Sequence, residues 1–171
     1  MREFKDSEGR PWQVALTVAS AGRVRDLVRV SPPPVDGAAE AERPFDIIDA
    51  ARVAETFQIL RTNYAAVGES LYAILLPKVQ DRGLSKEQFL DGLSGEALDA
   101  GARAIEEEIV DFFPPRLRGM VGALRQKMLE LAEAVVTKAE ADVKAMSLSG
   151  MSSGPAPESS GFTPESGPSG N

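Results

Sequence analysis

The sequence of 171 residues contains no cysteine and no histidine. Without cysteine, it forms no disulfide and has no thiolate that could act as a nucleophile or bind an iron–sulfur cluster. Without histidine, it lacks the usual general base, and Cys/His zinc sites and His-ligated haem are excluded. Carboxylate pairs remain as candidates for acid–base chemistry, and carboxylate-only sites remain as candidates for metal binding. The fold must therefore be stabilised by an apolar core alone.

The densest carboxylate cluster is Glu106, Glu107 and Glu108, followed by Asp111. Consecutive helical residues point about 100° apart, so three adjacent glutamates cannot converge on one metal ion. Glu107 and Asp111, four residues apart, share a face, but we expect this cluster to be a solvated flank. The glycines match no phosphate-binding pattern. The sequence thus predicts a protein that is not an enzyme and holds no cofactor or metal.

Clustered positive charge and long apolar runs are also missing. The chain has 26 acidic and 19 basic residues, a net charge of −7. Nucleic-acid binding is disfavoured, because counterion release needs clustered Lys and Arg. No apolar run approaches the ~20 residues that cross a bilayer, and the residues from Met1 to Asp6 do not resemble a secretory signal. We expect a soluble, cytoplasmic protein with no nucleic-acid or membrane partner.

Two segments are poor in large apolar residues. Ser, Gly and Pro make up 17 of the 25 residues from 147 to 171. This segment buries too little apolar surface to offset its ordering entropy, and it predicts a disordered tail. The run from Ser31 to Gly37 holds three consecutive prolines and interrupts regular structure. The domain organisation predicted is one domain over 1–146 and a tail over 147–171.

The periodicity predicts a mainly α fold, with an N-terminal β-hairpin packed on about five to six helices. Residues 10–16 alternate, which predicts a strand pairing with residues 2–5 and a buried Trp12. The remaining segments have helical spacing and begin at capping residues. The predicted helix starts are Thr17, Asp46, Asn63, Ser85 and Ser94, and Pro77 is expected to stop the third helix.

The last predicted helix, about 115–146, is the longest. Its apolar residues repeat every three or four positions, which is a heptad pattern. We name these six residues the heptad seam and take them as the candidate partner-binding residues: Leu117, Val121, Leu124, Met128, Leu131 and Val135. After Val135 the phase slips to Ala139, Val143 and Met146. Two interpretations stay open, an ordinary packed helix and a helix whose far end contacts another chain.

Several motifs resemble those of a family of phage and prophage proteins encoded among tail-morphogenesis genes. The similar stretches, which together span most of the chain, are 2–14, 23–27, 70–76, 83–89, 95–98 and 107–114, and the Ser/Gly/Pro/Glu tail. The resemblance implies a tail assembly chaperone of a long-tailed phage. Such proteins bind the tape measure protein, a long and largely helical chain, and are usually absent from the finished virion.

The expected function is therefore to bind and solubilise the tape measure protein during tail assembly, with self-association also open. The resemblance supplies no residue-level binding motif. Two alternatives remain: a structural tail or head-completion protein of a phage or prophage, and a cellular helical adaptor.

Overall fold

The computed structural model describes residues 1–31 and 41–150, with side chains described as far as residue 144. The described chain is mainly helical and has the N-terminal hairpin that the sequence predicts. Its elements are β1 (Arg2–Lys5), β2 (Pro11–Val14), α1 (Val18–Leu27), β3 (Arg29–Val30), β4 (Arg43–Pro44), a short 3-10 helix (Ala50–Arg52), α2 (Val53–Thr62), α3 (Tyr64–Asp81), α4 (Lys86–Asp91), α5 (Gly95–Phe112) and α6 (Pro115–Gly150).

The chain divides into two units, Met1–Leu131 and Ala132–Asn171. The second unit is described as far as Gly150. Helix α6 begins at Pro115, as predicted, and its backbone continues to Gly150, beyond the predicted end near residue 146. The rest of the predicted tail, 151–171, and residues 32–37 of the proline-rich break lie outside the described residues.

Strands β1 and β2 form the predicted antiparallel hairpin, with Phe4 opposite Trp12. Gly9 takes a positive φ of 77° in the turn, a conformation that glycine adopts without steric cost. The second strand ends at Val14 instead of Leu16. The backbone N–H of Leu16 donates to the carboxylate of Glu108 at 3.1 Å, so it is satisfied without a strand partner.

Polar side chains cap three of the predicted helix starts. Thr17 and Ser20 satisfy each other's backbone N–H groups at the start of α1, and Ser85 and Gln88 do so at α4. The side chain of Asn63 accepts from the backbone N–H of residue 66 at the start of α3. Each of these bonds satisfies a donor that a helix start would otherwise leave free. Ser94 precedes α5 as predicted, but its side chain makes no capping bond.

Two predicted helix boundaries are wrong. Asp46 does not start a helix; Asp49 caps the 3-10 turn instead, and α2 begins at Val53. Pro77 lies inside α3, which continues to Asp81. A proline has no N–H to donate to the carbonyl four residues earlier. Arg23 of α1 donates to that carbonyl, on Ala73, at 2.8 Å, and to the carbonyl of residue 74 at 3.1 Å.

The hairpin and helices of the first unit enclose one apolar core. Trp12 is fully buried, which confirms its predicted place in the core. The rings of Trp12 and Phe89, on α4, are perpendicular in a T-shaped contact with a centroid distance of 5.0 Å. The guanidinium of Arg82, at the end of α3, lies 4.1 Å from the Trp12 ring centroid. Trp12 therefore joins the hairpin to two helices.

Candidate partner-binding surface

The structure divides the heptad seam. Val121 is fully buried in the core of the first unit, and three further seam residues, Leu117, Leu124 and Met128, are partly buried against it. Leu131, the last residue of that unit, is 59% exposed. Val135, in the second unit, is 68% exposed. Four of the six candidate residues are thus occupied by the protein's own core, and two remain accessible.

The first unit holds its part of α6 through a buried ionic cluster. The carboxylate of Glu106, on α5, is 2% exposed. Arg61 of α2 donates to its two oxygens at 2.7 and 3.1 Å, and Arg125 of α6 donates to one of them at 3.0 Å. Such close partners offset the cost of burying a carboxylate. Arg61 also donates to the backbone carbonyl of Arg125 at 3.3 Å, so α2, α5 and α6 meet at this point.

The predicted solvated flank on α5 is wrong for two of its four residues. Glu106 and Glu108 are buried, and Glu108 accepts the backbone N–H of Leu16. Glu107 and Asp111 are exposed enough to fit the prediction, and both pair with Arg2, at 2.9 and 3.1 Å. The residues of this cluster point in different directions: Glu106 pairs with Arg61, whereas Glu107 and Asp111 pair with Arg2. In the described residues no group of three or more acidic side chains could hold a metal ion.

A third buried carboxylate, that of Asp6, organises the hairpin turn. It accepts from the indole N–H of Trp12 at 2.8 Å, from the Arg10 side chain at 2.6 Å, and from the backbone N–H groups of Glu8 and Arg10 at 3.1 and 2.9 Å. Burial alone would raise the pKa of Asp6. The hydrogen bonds from Trp12 and Arg10, with the positive charge of Arg10, outweigh burial and lower the pKa below its usual value.

In the second unit, α6 carries apolar side chains along one face. At about 100° per residue, five residues fall within one stripe. We name them the C-terminal stripe: Ala132, Val135, Val136, Ala139 and Val143. All are exposed, with exposed fractions of 68%, 57% and 64% for the three valines. The phase slip after Val135 predicts that Ala139 and Val143 share a face, but that pattern does not include Ala132 or Val136.

Two cavities in the part of the chain that the structure describes are poorly suited to a cofactor. One cavity, lined by Val30, Phe45, Thr56 and Ile59 beside the Arg43–Glu55 ion pair, has a volume of about 20 Å³. That is room for about one water molecule. An open groove near the hairpin turn is lined by Lys5 and residues of α5, with charges of both signs. Neither has the apolar, enclosed shape of a cofactor pocket.

In the described part of the chain, no helix has the length and apolar character needed to cross a membrane. Comparison with protein-family models, with curated proteins and with solved structures finds no match for this chain.

Proposed function

We propose that this protein binds an apolar helical segment of another protein, and that it acts as a tail assembly chaperone for the tape measure protein of a long-tailed phage. The observation that carries the binding role is the exposed C-terminal stripe. The named partner comes from the sequence motifs that resemble the tail assembly chaperone family. The proposal places the protein in the host cytoplasm, where phage tails assemble.

The stripe has the chemistry of a helix-binding surface. Valines at positions 135, 136 and 143 provide apolar area, and the alanines between them let a second helix approach closely. An amphipathic helix binds such a face through apolar residues at spacings of three and four. Val135, an exposed residue of the heptad seam, belongs to this stripe. A largely helical partner fits this role.

Co-expression with the tape measure protein of the same genome tests the proposal. We expect the wild-type chain to keep that protein in the soluble fraction and to co-purify with it. The double variant Val135→Lys/Val136→Lys should lose both effects, because it places two charges on the stripe. The matched control is Ala141→Lys, which adds a charge to the opposite face of the same helix segment. A tape measure protein as insoluble with the wild-type chain as alone would contradict the proposal.

The alternative function, a structural protein of the phage, differs from the chaperone function in whether the chain is part of the finished particle. A chaperone should be missing from purified particles, whereas a tail or head-completion protein should be present in fixed stoichiometry. Quantitative mass spectrometry of purified virions separates the two functions without any variant.

A further inference from the structure

The charges that border the C-terminal stripe are arranged in a specific order. One edge carries Glu133, Glu140 and Lys144, and the other carries Lys138 and Asp142, as their positions around the helix dictate. All five side chains are exposed. In residues 132–144, which the structure describes, no ion pair joins these side chains to one another. Both edges therefore carry charges of both signs that can pair with another chain.

Two copies of this helix that lie antiparallel place each edge against the same edge of the other copy. Glu133 then lies opposite Lys144 of the second copy, and Lys138 lies opposite Asp142 of the second copy. The midpoints of these two pairs differ by one and a half residues, or about 2 Å at the helical rise. A flexible lysine side chain spans such an offset. A single antiparallel alignment therefore pairs opposite charges at both edges of the stripe. Because the two copies are related by a two-fold axis, each charge pair forms twice.

The apolar residues fit the same two-fold axis, which relates the two antiparallel copies. The midpoint of Val136 and Val143 lies between the midpoints of the two charge pairs, so these valines face each other across the two copies. Ala139 lies at the axis, next to its counterpart in the second copy. A small side chain at that point lets the two helices approach closely. Apolar layers and charge pairs thus specify the same alignment.

The opposite orientation is less favourable. A parallel pair places one edge against the other and brings Glu140 close to Asp142 of the second copy, twice by symmetry. The antiparallel pair has a single repulsive contact, between Glu140 and its own counterpart. Both orientations form four attractive pairs, so the repulsive contacts decide between them.

We infer that the C-terminal stripe binds the same stripe of a second copy of this chain in antiparallel orientation. The surface is small, so the dimer forms reversibly and at high protein concentration. The inference concerns the chain without its helical partner and does not rest on the proposed function. A chain that dimerises without solubilising a tape measure protein, or the reverse, would separate the two.

Sedimentation equilibrium of the full chain over a wide concentration range tests the inference. The wild-type mass should rise toward that of a dimer. Glu133→Lys and Lys144→Glu each turn two attractive pairs into repulsive ones. Each variant should raise the protein concentration at which half of the chains are dimeric by about tenfold. The change is modest because exposed ion pairs contribute little free energy. Mixing the two variants in equal amounts should restore association, because opposite charges then face each other at both pairs.

The double variant Glu133→Lys/Lys144→Glu should also dimerise like the wild type. Ala141→Lys, on the opposite face, is the control and should not change association. Glu140→Gln should strengthen it by removing the repulsive contact. A wild-type chain that stays monomeric at millimolar concentration would overturn the inference. So would a mixture of the two single variants that associates no better than either variant alone, because a parallel pair predicts that result.

Discussion

Helix α6 carries apolar residues at helical spacing in both units, yet the two parts meet different surroundings. In the first unit, Val121 is buried and its seam neighbours pack against the core. In the second unit, Val135 and Val136 are exposed. The periodicity is similar in both parts. Spacing alone therefore predicts that a face is apolar, but it does not predict which chain covers that face.

The largest loss of stability is expected in the core of the first unit, and it tests the difference between buried and exposed apolar residues. Trp12→Ala removes a fully buried ring that contacts Phe89 and lies beneath Arg82. We expect a loss of about 3–5 kcal/mol in the free energy of unfolding, measured by urea denaturation. Val136→Ala, on the exposed stripe, should change it by less than about 0.5 kcal/mol. Equal losses at both positions would show that the stripe is also core.

The next largest effect is expected at the buried ionic cluster. Glu106→Gln keeps the side-chain shape but leaves Arg61 and Arg125 facing a neutral amide. We expect a loss of about 3 kcal/mol, because breaking a buried pair leaves an uncompensated charge. Glu133→Gln makes the same chemical change on the exposed second unit and should leave the free energy of unfolding unchanged. If Glu106→Gln left the free energy of unfolding unchanged, the ionic cluster would not be what holds the first part of α6 in place.

The sequence predicts the hairpin, the buried tryptophan and most helix starts because these depend on local patterns: alternation, capping side chains and helical spacing. The errors depend on distant residues. Pro77 does not stop α3, because Arg23, far away in sequence, donates to the carbonyl that the proline leaves free. Glu106 is buried because Arg61 and Arg125 reach it from two other helices. No local sequence pattern predicts contacts with residues so far away in the sequence.

The same limit applies to the candidate site. Leu124 and Val135 both belong to the heptad seam and continue its three-four spacing. Leu124 is partly buried by the first unit's core, whereas Val135 is not covered. The sequence could identify the apolar face, but its division into packed and accessible parts depends on the tertiary structure.

A direct comparison within α6 uses one chemical change at two valines. Val121→Ala removes about two buried methylene equivalents and should cost about 2 kcal/mol. Val136→Ala should leave the free energy of unfolding almost unchanged, yet weaken association of the chain in sedimentation equilibrium. If instead Val121→Ala weakened association without a loss of stability, the first part of α6 would also be a binding surface.

The smallest effect is expected at Asp6, and its signature is a pH dependence. Asp6→Asn removes an anion that accepts hydrogen bonds from Trp12 and Arg10, and we expect a cost of about 1–2 kcal/mol at neutral pH. Folding lowers the pKa of Asp6, so its contribution is fully present above the unfolded value of about 3.9 and is lost as the pH falls through the lower folded value.

The difference in free energy of unfolding between wild type and Asp6→Asn should therefore stay constant from neutral pH to about pH 5 and shrink below about pH 4. Asp142→Asn, at an exposed position of the second unit, is the matched control and should leave the free energy of unfolding unchanged at neutral pH. Urea denaturation of the three proteins between pH 3 and 7 measures both. A difference that grew toward low pH would mean that the neutral form of Asp6 is favoured in the folded chain, and the hydrogen bonds at the turn would then not outweigh its burial.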